Sequence, residues 1–100
     1  MSASFLNIVI TKKADADETA IYEYITTSFG SVYADNFRKK LIGLFNLISR
    51  QPFIGRPARN DASIRVFQMS RQNKIVYKLN DTEIIVLRIL HTRMKISGEF

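Results

Sequence analysis

The sequence predicts an α+β domain of order β-α-α-β-β-β, an antiparallel sheet with two N-terminal helices packed on one face. Three observations carry this prediction. Apolar residues recur at helical spacing as far as Ile48 and alternate at strand spacing from Ile64 onward. A loop containing Pro52, Gly55, Pro57, Asn60 and Asp61 separates the two regimes. A short apolar run with Ile8, Val9 and Ile10 precedes the helices.

Each element has its own reason. Phe5, Ile8, Val9 and Ile10 suit a first strand over residues 4–11. Asp15, Asp17 and Glu18 then cluster where a helix macrodipole favours negative charge. Ile21, Tyr24, Ile25 and Ser28 continue that helix, and Gly30 is a natural stop. Ser31 is placed to cap a second helix, whose apolar face runs through Tyr33/Ala34, Phe37, Leu41, Leu44/Phe45 and Ile48. Pro52 disfavours helix at Gln51, so the helix ends there. Strands follow at Ile64 to Met69, Lys74 to Leu79 and Glu83 to His91, joined by Ser70–Asn73 and by Asn80–Thr82. The last strand is apolar on both faces, which places it inside the sheet. The aromatic set Tyr22, Tyr24, Phe29, Tyr33, Phe37 and Phe45 falls mostly at core spacing on the helices.

Length and composition bound the function. One hundred residues make one domain, 1–100, with one core and no room for a deep multi-part active site. The absence of cysteine removes disulfides, thiolate metal sites and thiol nucleophiles. The apolar N-terminal run is short and precedes Lys12 and Lys13, the reverse of a secretory signal. No window is long enough to span a membrane, so a cytoplasmic protein is expected. The sequence contains no Gly-rich phosphate loop, nucleophile elbow or metalloprotease motif, and no cofactor or metal is called for.

Charge is concentrated rather than spread. Residues 50–78 hold seven basic side chains (Arg50, Arg56, Arg59, Arg65, Arg71, Lys74, Lys78) against the single acid Asp61. The net charge of +6 therefore resides in that segment, and the remainder balances. Such a local field favours an anionic partner: nucleic acid, a nucleoprotein or an acidic protein segment.

Taken in order, Ile21-Tyr22-Glu23-Tyr24-Ile25, Phe29-Gly30, Phe37, Leu41, Pro52-x-x-Gly55-Arg56-Pro57, Ile64-Arg65, Ile75-Val76-Tyr77 and Ile84 to His91 with Arg93-Met94 form a set. On this element order the set resembles the RelE/ParE superfamily, the small toxins of bacterial toxin–antitoxin modules. The resemblance covers nearly the whole chain. The Gly-Arg-Pro loop and the Leu-His-x-Arg-Met ending look like the ParE branch, whose members poison DNA gyrase. The RelE branch consists of ribosome-dependent nucleases that cut mRNA with Lys, Arg and Tyr side chains.

Carried over from that second branch, the resemblance places Arg65 at a catalytic basic position and Lys74 at a phosphate-stabilising one. Phe67 stands where a second catalytic Lys is expected. Arg93 is near another basic position, and residues 94–100 offer no Tyr. RNA cleavage needs a base, an acid and cationic stabilisation of the phosphorane. Cations remain here without an assured base or acid.

The first expectation is therefore a gyrase inhibitor with no turnover of its own, held by a cognate antitoxin in a hetero-oligomer. The antitoxin's C-terminal segment is expected to be acidic and apolar. Target-binding candidates are Arg56, Arg65, Lys74, Lys78 and Arg93. The alternative is a ribosome-dependent endoribonuclease working on mRNA through Arg65, Lys74, His91 and Arg93. A third is an inactive toxin-like module that only binds antitoxin.

The individual residues also have plainer readings. His91 suits a general base or a strand-end histidine bonded to backbone. Arg65, Lys74 and Lys78 suit a shared electropositive sheet face or solvated strand positions. Arg56 suits a target contact or a loop-fixing side chain. Arg88 interrupts an apolar strand, so it faces solvent or pairs with a buried acid.

Overall fold

Thr11 divides the first strand, β1 (Asn7–Ile10), from the first helix, α1 (Lys12–Phe29). The computed structural model describes residues 6–91. Thr11 is extended, and its hydroxyl accepts the N–H of Ala14 at 3.1 Å, the arrangement of a helix N-cap. The same hydroxyl lies 2.9 Å and 3.0 Å from the carbonyls of Val86 and Leu87, to which it donates. The start of the helix is thereby tied to the last strand, 75 residues away in sequence.

Gly30 closes α1 with φ 102°, and its N–H bonds the carbonyls of Ile25 and Thr26. An L side chain is strained at that φ, so glycine is required there. The same residue opens α2 (Ser31–Arg50). The predicted Ser31 cap is corrected: Ser31 is the first helical residue, and no side chain caps this end. The helix stops at Gln51, as Pro52 dictates.

The predicted loop contains a two-residue strand, β2 (Arg56–Pro57). It is followed by β3 (Ile64–Gln68), β4 (Asn73–Leu79) and β5 (Glu83–His91). The strand order is β1-β5-β4-β3-β2. Strands β2 to β5 pair antiparallel, since short turns reverse the chain between them. The expectation of a wholly antiparallel sheet is corrected by β1, which runs parallel to β5 with Ile8 opposite Ile84. The physical reason is the connection. A hairpin of two helices returns the chain to the end from which it left, and such long crossovers permit parallel pairing.

Strand β5 lies inside the sheet, as its two apolar faces predict. Ile84, Val86 and Ile89 join Ile75, Tyr77, Leu41 and Ile48 under the helices. Leu90 joins Ile64 and Val76 on the opposite face. Val76 pairs with Arg88 while Tyr77 pairs with Val86, so Leu87 is an extra residue in β5. The Thr11 hydroxyl bonds at this bulge.

The aromatic expectation holds only in part. Phe37 and Phe45 pack against the core. Tyr24, Phe29 and Tyr33 are instead more than 60% exposed and meet edge to face around the hairpin tip, with centroids 6.3 and 6.4 Å apart. These three rings lie where α1 ends and α2 begins, on either side of Gly30.

Candidate partner-binding face

Alternation along β4 separates the candidate cations. Tyr77 belongs to the core under the helices and Val76 to the opposite face. Arg65 is the register partner of Tyr77 and shares its face. Lys74 and Lys78 share the face of Val76 instead, as does Arg56, the partner of Val66. The sheet thus splits the expected cluster of Arg65, Lys74 and Lys78.

The helix-free face brings together Arg56, Lys74 and Lys78. Lys74 and Lys78 are four positions apart on β4, about 13 Å. Arg56 and Lys78 are exposed, and Lys74 is half-buried. Between them Ile64, Val66, Val76 and Leu90 are all less than 10% exposed. What this face offers solvent is charge over a closed apolar layer.

Arg65 does different work. Its Nη1 donates to the carbonyls of Gly55 at 2.5 Å and Phe53 at 3.2 Å, and its guanidinium lies over the Phe53 ring at 4.8 Å. The Tyr77 hydroxyl bonds the same loop, donating to Pro52 O at 2.8 Å and accepting from Gly55 N at 2.9 Å. Burial pushes the Tyr77 phenol above its ordinary value, opposed by the Gly55 N–H and by Arg65. The loop-fixing role weighed for Arg56 therefore belongs to Arg65. A Cβ at Gly55 would lie 2.7 Å from Tyr77 Oη, so close approach rather than backbone conformation demands glycine. Tyr77 alternates with Val76 in the run Lys74 to Leu79, in phase with the apolar Ile75 and Leu79. The signal it carried was a phenol on a core face, which needs a polar partner.

The three nuclease candidates among the described residues, Arg65, Lys74 and His91, do not converge. His91 is exposed at the end of β5 opposite Asn73, about 13 Å along the sheet from the row of Arg65. Lys74, opposite Leu90, is on the other face. Arg93 lies outside the described residues.

Two acids expected at a helix start turn out to be ion-pair partners. Asp17 receives Arg88 Nε at 2.7 Å, Arg88 Nη2 at 2.9 Å and the backbone N–H of Ile89 at 3.0 Å. This answers the question of Arg88: it pairs with a half-buried acid of α1. Glu18 receives Arg38, whose guanidinium lies 3.5 Å from the Tyr22 ring centroid. Only Asp15 remains as the first-turn acid. Among the described residues no three His, Asp or Glu side chains are placed to hold a metal, and no helix is long and apolar enough to cross a membrane.

This arrangement, a helical hairpin on a mixed five-stranded sheet with a basic face, is the RelE/ParE-like toxin fold. Among solved structures, the chromosomal ParDE system of P. aeruginosa superposes with TM-score 0.76 at 22% identity, over 88% of this chain and 97% of that one. The RelBE2 complex of Mycobacterium tuberculosis gives 0.59 at 19% identity, over 87% and 98%. The YoeB dimer of Staphylococcus aureus gives 0.59 at 21%, over 83% and 92%. No curated protein matches the chain in sequence. The family model for the ParE toxin of the type II toxin–antitoxin system parDE matches residues 8–96, and the chain belongs to that family.

Proposed function

We propose that this ParE-family toxin acts in the cytoplasm by binding DNA gyrase, trapping its cleaved-DNA complex, and has no turnover of its own. The observation that carries this reading is the dispersal of Arg65, Lys74 and His91 over two faces and about 13 Å of sheet. A phosphoryl-transfer site needs its base, acid and cations around one reacting phosphate. Arg65 is moreover engaged by two loop carbonyls.

The face of Arg56, Lys74 and Lys78 suits an anionic partner. An acidic and apolar antitoxin segment, folding as it binds, fits it by charge. Gyrase and the antitoxin then compete for the toxin in a hetero-oligomeric system.

The test is gyrase supercoiling of relaxed plasmid by the antitoxin-free protein, run beside mRNA cleavage on programmed ribosomes. Lost supercoiling with accumulating linear DNA is the expected result. Ribosome-dependent mRNA cuts with normal supercoiling would overturn the proposal and return the search to Arg65, Lys74 and His91. Neither effect, in a protein that still binds antitoxin, would leave the toxin-like binding module.

A further inference from the structure

The loop that Arg65 and Tyr77 brace carries Phe53, whose exposure of 71% is the highest among the exposed large apolar side chains of the described residues. Exposed phenylalanines are common on mobile loops, where the ring can fold away. Here four hydrogen bonds hold the backbone from Pro52 to Gly55: Tyr77 with Pro52 O and Gly55 N, and Arg65 with Phe53 O and Gly55 O. Both anchors are sheet residues, and Tyr77 is fully buried. The ring is therefore presented to solvent by a rigid mount.

One face of the ring is occupied by the Arg65 guanidinium, 4.8 Å from the centroid. At 71% exposure the rest of the ring is open. Arg50 and Arg59 are both exposed and lie within six positions of Phe53 along the chain, with no acid among residues 51–60, while Arg56 belongs to the helix-free face. We infer that Phe53 is a stacking platform for a base of single-stranded nucleic acid. The base covers the open ring face, Arg65 backs the other, and the neighbouring arginines meet the flanking phosphates. Base–aromatic stacking with cationic support is the general chemistry by which proteins hold single strands.

An acidic peptide would use the arginines but has few flat π faces to set on the ring. A nucleotide supplies the flat face and the negative charge from one unit, which is why the geometry favours it. The inference goes beyond the gyrase reading and stands independently of it.

The experiment uses the full chain and fluorescence anisotropy of labelled oligothymidylate, oligouridylate and an abasic deoxyoligonucleotide of equal length. Binding is expected to weaken with salt, and base-bearing strands are expected to bind about tenfold tighter than the abasic one. Phe53→Leu should erase that tenfold difference while leaving the circular dichroism spectrum unchanged. Phe53→Trp should keep it. Equal affinity for abasic and base-bearing strands would overturn it, as would a base preference that survives Phe53→Leu or complete displacement by polyglutamate at equal charge. No binding to any strand would overturn it as well.

Discussion

Replacing Gly55 by Ala tests the packing of the loop against the sheet. The new Cβ would lie 2.7 Å from Tyr77 Oη, 2.8 Å from Cε1 and 3.1 Å from Cζ. Ordinary contact begins near 3.4 Å, so something must move by several tenths of an ångström. Tyr77 cannot yield easily: it is fully buried and on β4, which is paired on both sides. The loop must lift instead, which stretches the 2.9 Å bond from Gly55 N to Tyr77 Oη and the 2.5 Å bond from Arg65 to Gly55 O. Overpacking costs about 1–3 kcal/mol, and losing a buried hydrogen bond adds about 1 kcal/mol. At about 4–8 °C per kcal/mol for a domain of this size, the summed cost of about 2–4 kcal/mol should lower Tm by about 10–30 °C. Thermal unfolding followed by circular dichroism measures it. Tyr77→Phe in the same background removes the contact with Oη but keeps that with Cε1, so the cycle should show coupling with only partial rescue. A Gly55→Ala protein melting with the parent would falsify the close approach and the rigid mount built on it.

Other expected outcomes follow from the same contacts. Asp17→Asn or Arg88→Ala should each cost about 1.5–3 kcal/mol, because each leaves a partly buried charged partner unmatched, and urea unfolding should show the double variant to be less than additive. Arg56→Glu with Lys78→Glu should leave Tm nearly unchanged, since both side chains are exposed, yet weaken antitoxin affinity about tenfold by calorimetry; unchanged affinity would remove the basic face as the docking surface. The Asp61 carboxyl is held below its ordinary 3.8 by the Ser63 hydroxyl and backbone N–H, with Lys78 assisting. Its contribution to stability is present above that value and is lost as pH falls through the lower folded value, and carbon NMR titration should show the midpoint rising in Ser63→Ala. Burial raises Tyr77, so its contribution is complete below the unfolded value of 10.0 and declines as pH climbs past it; Tyr77→Phe should lose this alkaline limb.

Much of the architecture is written locally. Helical spacing through Ile48, the block at Pro52 and alternation after Ile64 require only neighbours along the chain, and the structure matches them. The doubly apolar pattern of β5 likewise states that both its faces are covered. The ordered set of short motifs is enough to mark the toxin family, and the linear sequence also shows the basic excess of residues 50–78. Non-local facts were not legible. The parallel pairing of β1 depends on where the helical hairpin returns the chain. The separation of Arg65 from Lys74 and Lys78 depends on register, because a shift of one position moves a side chain to the other face. The pairing of Asp17 with Arg88 joins residues 71 positions apart, and sequence showed only an acid near a helix start and a charge in an apolar strand. The same holds for Arg65 and Phe53: composition counts a cation and an aromatic ring, and only tertiary contact sets one against the other, because both hydrogen bonding and stacking depend on distances that the linear order does not encode.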